Sequence, residues 1–271
     1  MTDTAAQIRI ILDWTLDAKH SIIWAADKEG CFKECGLNVE LLEPLSKSAS
    51  SLEQVHSGAA ELAINYPHNI LLMRKELPNL AAVGSMIKKN SEGLLSLRVK
   101  NIDSADKLKN MRIGIGPSPV SKSQFEVFLT SNGLSYQDID LSYVGFEGEE
   151  LLLKDEIDAL DAVQYAIPRT EAKGHQVNFI PYTTSGVPDS PFLVFTGSAD
   201  WVTTHGEDLK SFFACLKKGL AIVKSWDRKR WKSYTDACKD RTPDEEMSIW
   251  KTTLPLMDDN GILFDQNVNE I

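Results

Sequence analysis

The chain alternates short apolar runs with longer segments whose apolar residues recur at helical spacing. Ile8–Leu12, Leu62–Ile64 and Leu80–Ile87 have the length and composition of buried strands. Between the first two, Ser21–Glu29 places its apolar residues on one side of a helix that ends at Gly30. Strands and helices in alternation predict a mainly parallel sheet covered by helices on both faces.

A second set of elements with the same rhythm begins at Leu94–Val99. Met111–Ile115, Ala159–Val163 and Val177–Pro181 are its further strand candidates, and Ser121–Ser131 has the pattern of a helix. Since that helix is followed by Asn132-Gly133, a pair that favours a turn, we expect it to end there.

After Phe192–Phe195 the pattern becomes helical, with segments at Glu207–Ser225, Arg228–Cys238 and Asp244–Leu254. In the simplest arrangement, the second set of elements is inserted into the first set. The C-terminal helices then return to pack with the first set. We therefore predict an α/β fold with two lobes, residues 1–92 plus 193–271 and residues 93–192, each a mixed, mainly parallel sheet flanked by helices. Ligands bind outside the carboxyl ends of such strands, so the predicted site is a cleft between the lobes.

Composition narrows the choice of partners. The 271 residues include 29 Lys and Arg and 39 Asp and Glu, for a formal net charge of −10, and they form no basic stripe. Nucleic acid is therefore not a predicted partner, and long-range attraction of an anionic ligand is disfavoured.

The sequence contains no apolar run near the roughly 20 residues of a membrane helix. Met1–Ala5 lack the basic and apolar segments of a signal peptide. Two interpretations follow: a cytoplasmic protein, or an exported periplasmic or extracytoplasmic protein whose signal was trimmed and replaced by a start Met.

Four cysteines, at positions 31, 35, 215 and 238, form no C-x-x-C pair and have no neighbouring cysteine or histidine ligands that would complete a zinc site. We expect free thiols and predict no metal or cofactor, although an even number also permits disulfides. The sequence contains no H-E-x-x-H or G-x-S-x-G motif, and no phosphate-binding P-loop.

The first strand ends in Asp13 and Trp14, which gives two interpretations. Trp14 is either a flat surface for stacking a ligand or a core aromatic residue, and Asp13 either accepts hydrogen bonds from amino groups or caps a helix. His20, at the start of the next helix, is expected to cap that helix or lie at the surface, with a cleft position as the alternative.

The third strand ends in Asn65-Tyr66-Pro67-His68, and its end should lie beside that of the first strand. Asn65, Tyr66 and His68 are therefore candidates for ligand contact. His68 has the chemistry of a general base, but a single histidine with no visible partner is more often structural.

In the second set, Gly114–Ser121 joins a strand to a helix, and free amides at the helix start can hold an anion or another acceptor. Pro117, Ser118 and Ser121 are the candidate residues there. Because Pro119 stands where a third glycine would be needed, a dinucleotide site is disfavoured.

Three more candidates follow later strands of this set. Glu147 either favours a helix N-terminus or binds an amino group. Gln164 and Tyr165 end the strand Ala159–Val163 and either face the ligand or pack against the protein.

Several of these segments together are similar to the thiamine-pyrimidine synthase/ThiY-like solute-binding protein family. The likeness lies in Leu12–Thr15 with His20, in Trp24–Glu40, in Ser57–Ala63, in Lys107–Gly114 and in Glu156–Ala159. It extends over most of residues 8–200 and is specific as a set rather than piece by piece.

The resemblance implies the type II periplasmic-binding-protein fold and a pyrimidine precursor of thiamine as ligand, formylaminopyrimidine or hydroxymethylpyrimidine. Trp14 takes the stacking position and Asp13 the polar contact. It further implies membrane subunits of an ABC importer as partners. Riboflavin or an aliphatic sulfonate remains an alternative ligand for the same fold.

The family also includes pyrimidine synthases, which use a lysine at the end of the third strand, a nearby histidine and a cysteine-rich segment. Here the lysine position is Asn65, the histidine position falls at His68 or Asn69, and Pro188–Phe195 contains no cysteine. We therefore expect a binding protein without catalytic residues, with a synthase-like enzyme as the alternative.

Overall fold

Ten strands form two five-stranded sheets in this computed structural model, which describes residues 5–44, 48–145, 147–239 and 241–257. The strands are β1 (Ala6–Ile11), β2 (Leu37–Leu42), β3 (Leu62–Asn65), β4 (Leu80–Ile87), β5 (Glu92–Leu97), β6 (Arg112–Ile115), β7 (Asp140–Tyr143), β8 (Ala159–Val163), β9 (Val177–Pro181) and β10 (Leu193–Ser198). The helices are α1 (Ser21–Lys28), α2 (Cys31–Glu34), α3 (Ser48–His56), α4 (Pro67–Met73), α5 (Pro119–Ser131), α6 (Gly148–Leu153), α7 (Ala166–Ala172), α8 (Ala199–Thr204), α9 (Gly206–Lys224), α10 (Arg228–Thr235) and α11 (Pro243–Thr253).

The first sheet has the strand order β2-β1-β3-β10-β4. β1 pairs in parallel with both β2 and β3, whereas β10 runs antiparallel to β3 and β4. Four of its five strands therefore share one direction, and the reversed strand is the one that follows the second unit in sequence. The predicted mixed, mainly parallel sheet is confirmed.

The second sheet repeats this plan in the order β7-β6-β8-β5-β9. β6 pairs in parallel with β7 and β8, and β5 runs antiparallel to β8 and β9. Here the reversed strand is β5, the first strand in sequence after the chain leaves the first unit.

The chain divides into two compact units, one of residues up to Lys89 and from Pro191 onward, the other Asn90–Ser190. Our predicted divisions lay at 92/93 and 192/193. The predicted ligand cleft between two lobes stays a prediction. None of the described helices is long and apolar enough to cross a membrane.

The accuracy of the predicted element bounds varies along the chain. β4, β8 and β9 have the bounds predicted for them, but the strand predicted at Leu94–Val99 begins at Glu92 and ends at Leu97, because Arg98–Lys100 forms a 3₁₀ turn. A second 3₁₀ turn covers Ala105–Leu108. We did not predict α2, α7 and α8, which are too short to show a helical period.

The long helix α9 packs its apolar face into the core of the first unit, as its spacing predicted. Phe212 lies edge-on to Phe195 of β10 with ring centroids 5.6 Å apart. On the same helix, Gly219 approaches α1 so closely that a Cβ atom would lie 2.1 Å from the carbonyl oxygen of Ile22. Only glycine permits this distance between the two backbones.

Replacing that glycine tests the contact between α1 and α9. Gly219→Ala should lower the free energy of unfolding by roughly 2 kcal/mol, because overpacking against backbone outweighs the better helix propensity of alanine. Gly206→Ala, on the first turn of the same helix where a Cβ would meet nothing within 4 Å, is the matched control and should not destabilise. Urea denaturation midpoints measure both, and equal midpoints would contradict the close contact.

Candidate functional site

The carboxyl ends of β1 and β3 meet at one edge of the first sheet. Ile10 pairs with Leu62 and Ile11 with Ala63, so the residues that follow the two strands lie at the same edge. The predicted neighbourhood of these two strand ends is confirmed, and the edge carries Asp13 and Trp14 on one side and Asn65 and Tyr66 on the other.

The loop after β1 contains a cluster of charged side chains that are almost fully buried: Asp13, Asp17, Lys19 and His20. His20 Nε2 lies 2.9 Å from Asp13 Oδ1. Lys19 Nζ lies 2.5 Å from Asp17 Oδ2 and 3.4 Å from Asp13 Oδ2. Two carboxylates and two basic side chains thus neutralise one another in this loop.

Backbone geometry fixes the same loop. Asp17 Oδ1 accepts the Lys19 N–H at 3.1 Å and lies 3.2 Å from His20 Nδ1, and these two contacts fix the 3₁₀ turn Ala18–His20. Tyr234 of α10 donates its hydroxyl to the Asp17 carbonyl oxygen at 2.5 Å. This hydrogen bond from α10 therefore anchors the loop to the C-terminal helices.

Mutual neutralisation sets the charge states of the cluster. Burial opposes the charged form of each group, but it is outweighed for Asp17 by Lys19 and His20, which hold the pKa of its carboxyl well below the usual range. Burial is likewise outweighed for Lys19 by Asp13 and Asp17, which raise the pKa of its ammonium group. These ion pairs favour the protonated form of Lys19 at neutral pH.

His20 stands at the N-cap position of α1, but its side chain makes no capping hydrogen bond to that helix, which corrects the expected capping role. It is completely buried, which corrects the expected surface position. Burial and Lys19 lower the pKa of its ring, but Asp17 and the hydrogen bonds to Asp13 and Asp17 outweigh them, so the pKa is raised above 6.5.

Trp14 keeps 41% of its surface exposed, so its interpretation as a core aromatic residue was wrong. Its neighbour Asp13 is buried in the cluster. The sequence pair Asp13-Trp14 therefore places a fixed carboxylate directly beside an accessible indole.

Asn65 is fully buried, and hydrogen bonds fix its amide. Its Nδ2 donates to Ser51 Oγ at 2.9 Å, and its Oδ1 accepts from the Tyr66 N–H at 2.8 Å and from Asn69 Nδ2 at 2.9 Å. This geometry makes Asn65 a support for the end of β3.

Tyr66 and His68 form an aromatic surface on the same edge. Their rings stack with centroids 5.3 Å apart, and Phe192 lies edge-on to Tyr66 at 5.1 Å. Burial lowers the pKa of His68 to about 4, so the ring is neutral at pH 7 and a weak base. The structural interpretation of His68 fits better than the general-base one.

The candidates of the second unit also follow parallel strands. Ser118 caps α5 by accepting the Ser121 N–H at 3.1 Å, and Pro117 and Ser118 are exposed. Glu147 is exposed and accepts the Gly145 N–H at 2.9 Å, which fits the expected role at the N-terminus of α6.

Gln164 and Tyr165 are half-buried between β8 and α7. The Gln164 N–H donates to the Ser91 carbonyl oxygen at 2.7 Å. Whether any of the twelve candidates contacts a ligand stays a prediction.

Sequence reasoning missed Asp17 and Lys19 in the first unit. The Asp17-x-x-His20 spacing of a capping box was a visible signal for the first, but nothing in the sequence marks Lys19 as buried. In the second unit it missed Glu92, Asp161 and Tyr182, where the Tyr182 hydroxyl donates to Asp161 Oδ1 at 2.9 Å.

Comparison with known proteins gives a family match. The sequence profile described as NMT1/THI5 like matches residues 17–225. A formylaminopyrimidine-binding protein of Halalkalibacterium halodurans is 26% identical over 215 residues, which cover 78% of this chain and 64% of that protein. The match therefore spans less than two thirds of that relative's length.

Two more comparisons concern activity and fold. A 4-amino-5-hydroxymethyl-2-methylpyrimidine phosphate synthase of Saccharomyces cerevisiae is 22% identical over 244 residues, covering 85% of this chain and 71% of the yeast protein. The crystal structure of the periplasmic aliphatic sulphonate binding protein of Escherichia coli matches with a TM-score of 0.77 at 13% identity, covering 97% of this chain and 88% of that one. This likeness confirms the predicted periplasmic-binding-protein fold.

The pKa values of the two histidines at the first-unit edge should lie on opposite sides of 6.5, with His20 above it and His68 below it. At pH 6 His20 should be mostly protonated because two carboxylates flank it, and His68, with a pKa of about 4, should be neutral. Long-range ¹H–¹⁵N NMR of the imidazole rings, assigned with single His→Gln variants, measures both. A shared midpoint would contradict the charge assignment of the cluster.

Proposed function

Because the chain belongs to the NMT1/THI5-like family, we propose that it is a solute-binding protein for a small pyrimidine-type heterocycle, a precursor of thiamine. The observation that carries this proposal is the exposed indole of Trp14 beside the fixed carboxylate of Asp13. The relative named as a formylaminopyrimidine-binding protein supports the choice of ligand.

The chemistry of the edge fits a flat, neutral, nitrogen-rich ligand. An aromatic ring stacks on the accessible face of Trp14, an arrangement worth about 1 kcal/mol beyond the area it buries. The Asp13 carboxylate is held by His20 at 2.9 Å and by Lys19 at 3.4 Å, so its proposed part in binding is to fix the loop that presents the indole.

The proposed physiological setting is delivery to an ABC importer. The solved periplasmic binding protein of the same fold supports this role and an extracytoplasmic location. Its partners are then the ligand and the membrane subunits of the importer.

Removing the indole tests the stacking surface. Trp14→Ala should weaken binding of formylaminopyrimidine or hydroxymethylpyrimidine about tenfold, since ring stacking and buried area are lost together. Tyr165→Ala should weaken it less. Tyr143→Ala removes a ring of similar exposure, 54%, from the edge strand β7 and should leave affinity unchanged.

Isothermal calorimetry on each variant measures these affinities, with circular dichroism as the check on folding. If the wild-type protein is folded and gives no heat with either pyrimidine, the proposed ligand is wrong.

A synthase-like enzyme is the second candidate, favoured by the similarity to the yeast synthase. Two residues of the first unit, Asn65 and Lys19, argue against synthase activity. Asn65 stands at the lysine position and is tied to Ser51, and Lys19, the nearby amine, is held protonated by Asp13 and Asp17.

Pyridoxal phosphate distinguishes the two candidates. We expect no stoichiometric imine at Lys19, because its buried ion pairs with Asp13 and Asp17 hold the amine protonated, whereas exposed lysines react only non-selectively. Spectrophotometry with borohydride trapping and mass spectrometry measures this, and a stoichiometric adduct at a single lysine would instead favour the enzyme.

A further inference from the structure

Two cysteines of the first unit lie in contact, although they are 180 residues apart in the sequence. Cys35 is the residue that ends α2, and Cys215 lies in the middle of α9. Their Sγ atoms are 3.5 Å apart, and both residues are free thiols in this structure. The contact joins the chain segment that precedes the inserted unit to the segment that follows it.

The packing of α2 on α9 holds the two sulfur atoms in place. The rings of Phe32 and Phe212 stack with centroids 5.6 Å apart and planes 11° apart. Cys35 and Cys215 each come three residues after one of these phenylalanines, so the two contacts lie about one helical turn apart between the same helices. The Cys215 Sγ also lies 3.1 Å from the Cys31 carbonyl oxygen, which fixes the buried sulfur.

The two thiols differ in accessibility. Cys35 is exposed, so a dissolved oxidant can reach its sulfur. Cys215 is completely buried, and burial together with the neighbouring Cys35 raises the pKa of its thiol to about 12. Because an accessible thiolate is the form that reacts, Cys35 is the sulfur that an oxidant meets first and Cys215 the sulfur that completes the reaction.

We propose that Cys35 and Cys215 are a redox-active pair that closes into a disulfide bond and ties α2 to α9. A disulfide bond is about 2.0 Å long, so the two sulfur atoms must approach by about 1.5 Å. Rotation of the exposed Cys35 side chain supplies this movement. The inference concerns the fold of the first unit and does not depend on the proposed ligand.

The oxidant is a low-molecular-weight disulfide of the glutathione type. The Cys35 thiol loses its proton and attacks one sulfur of the oxidant, which forms a mixed disulfide and releases one thiolate. The Cys215 thiol then loses its proton and attacks the Cys35 sulfur, which releases the second thiolate. Both thiolates take up the released protons, so two protein thiols are oxidised while one small disulfide is reduced to two thiols.

Closing the pair has a consequence for stability. A cross-link between residues far apart in sequence restricts the unfolded chain strongly, so the closed protein should unfold at a higher temperature than the open one. An oxidising compartment favours the closed pair, and a reducing cytosol favours the open pair.

The experiment uses the full chain, either reduced with dithiothreitol or incubated with oxidised glutathione. Maleimide labelling with intact mass spectrometry counts the free thiols, and peptide mapping without reductant identifies the linked residues. Cys35→Ser and Cys215→Ala each remove one member of the pair. Cys238→Ala is the matched control, because this half-buried thiol contacts the Tyr234 carbonyl oxygen at 3.5 Å and lies on another helix.

We expect the wild type and Cys238→Ala to lose two free thiols and to yield a peptide linked through Cys35 and Cys215. Differential scanning calorimetry should place their unfolding midpoints about 5 °C or more above those of the reduced forms. Cys215→Ala should instead keep glutathione attached to Cys35. Cys35→Ser should show no link and no rise in midpoint.

A wild-type protein that keeps all its thiols with oxidised glutathione, or that forms its link through Cys31, overturns the inference. An unchanged unfolding midpoint in the closed protein overturns the stabilising role of the bond. If Cys215→Ala is unfolded, the exposed substitution Cys35→Ser and the peptide map decide the result. Pyrimidine binding tests the proposed function separately, and its failure leaves the cysteine pair standing.

Discussion

Mutual neutralisation of four buried charges after β1 is the interaction on which the first-unit edge depends. Moving one such charge out of water costs several kcal/mol, so Asp13, Asp17, Lys19 and His20 are tolerated inside only as a set. The ion pairs and hydrogen bonds within the set hold the loop in one conformation. In that conformation Asp13 is buried while Trp14, the next residue, remains accessible.

The second unit buries carboxyl groups by a different route. The Tyr182 hydroxyl donates to Asp161, and burial together with the nearby Asp161 raises the pKa of Glu92 to about 8. The first unit thus balances its buried charges within one loop, whereas in the described part of the second unit a buried Glu92 oxygen has no hydrogen-bond partner.

Sequence patterns predicted the features that depend on the spacing of apolar residues and on the order of elements along the chain. Parallel pairing of β1 with β3 and the buried face of α9 follow from apolar spacing and from the rules of strand–helix alternation. Side-chain partners were less predictable. Asn65 has the position of a ligand contact but is bonded to Ser51 and Asn69, and Lys19 has the composition of a surface residue but is paired inside the loop. Both outcomes depend on residues that only the folded backbone brings within hydrogen-bonding distance.

The place of β10 in the first sheet has a consequence for biosynthesis. β10 lies between β3 and β4, yet it is made after the whole of Asn90–Ser190. On the ribosome the inserted unit has its complete sequence while the first unit still lacks an interior strand. The inserted unit can therefore finish folding first. Until β10 is made, β3 and β4 lack the strand that pairs with both of them. The order of synthesis and the order of completion are thus reversed between the two units.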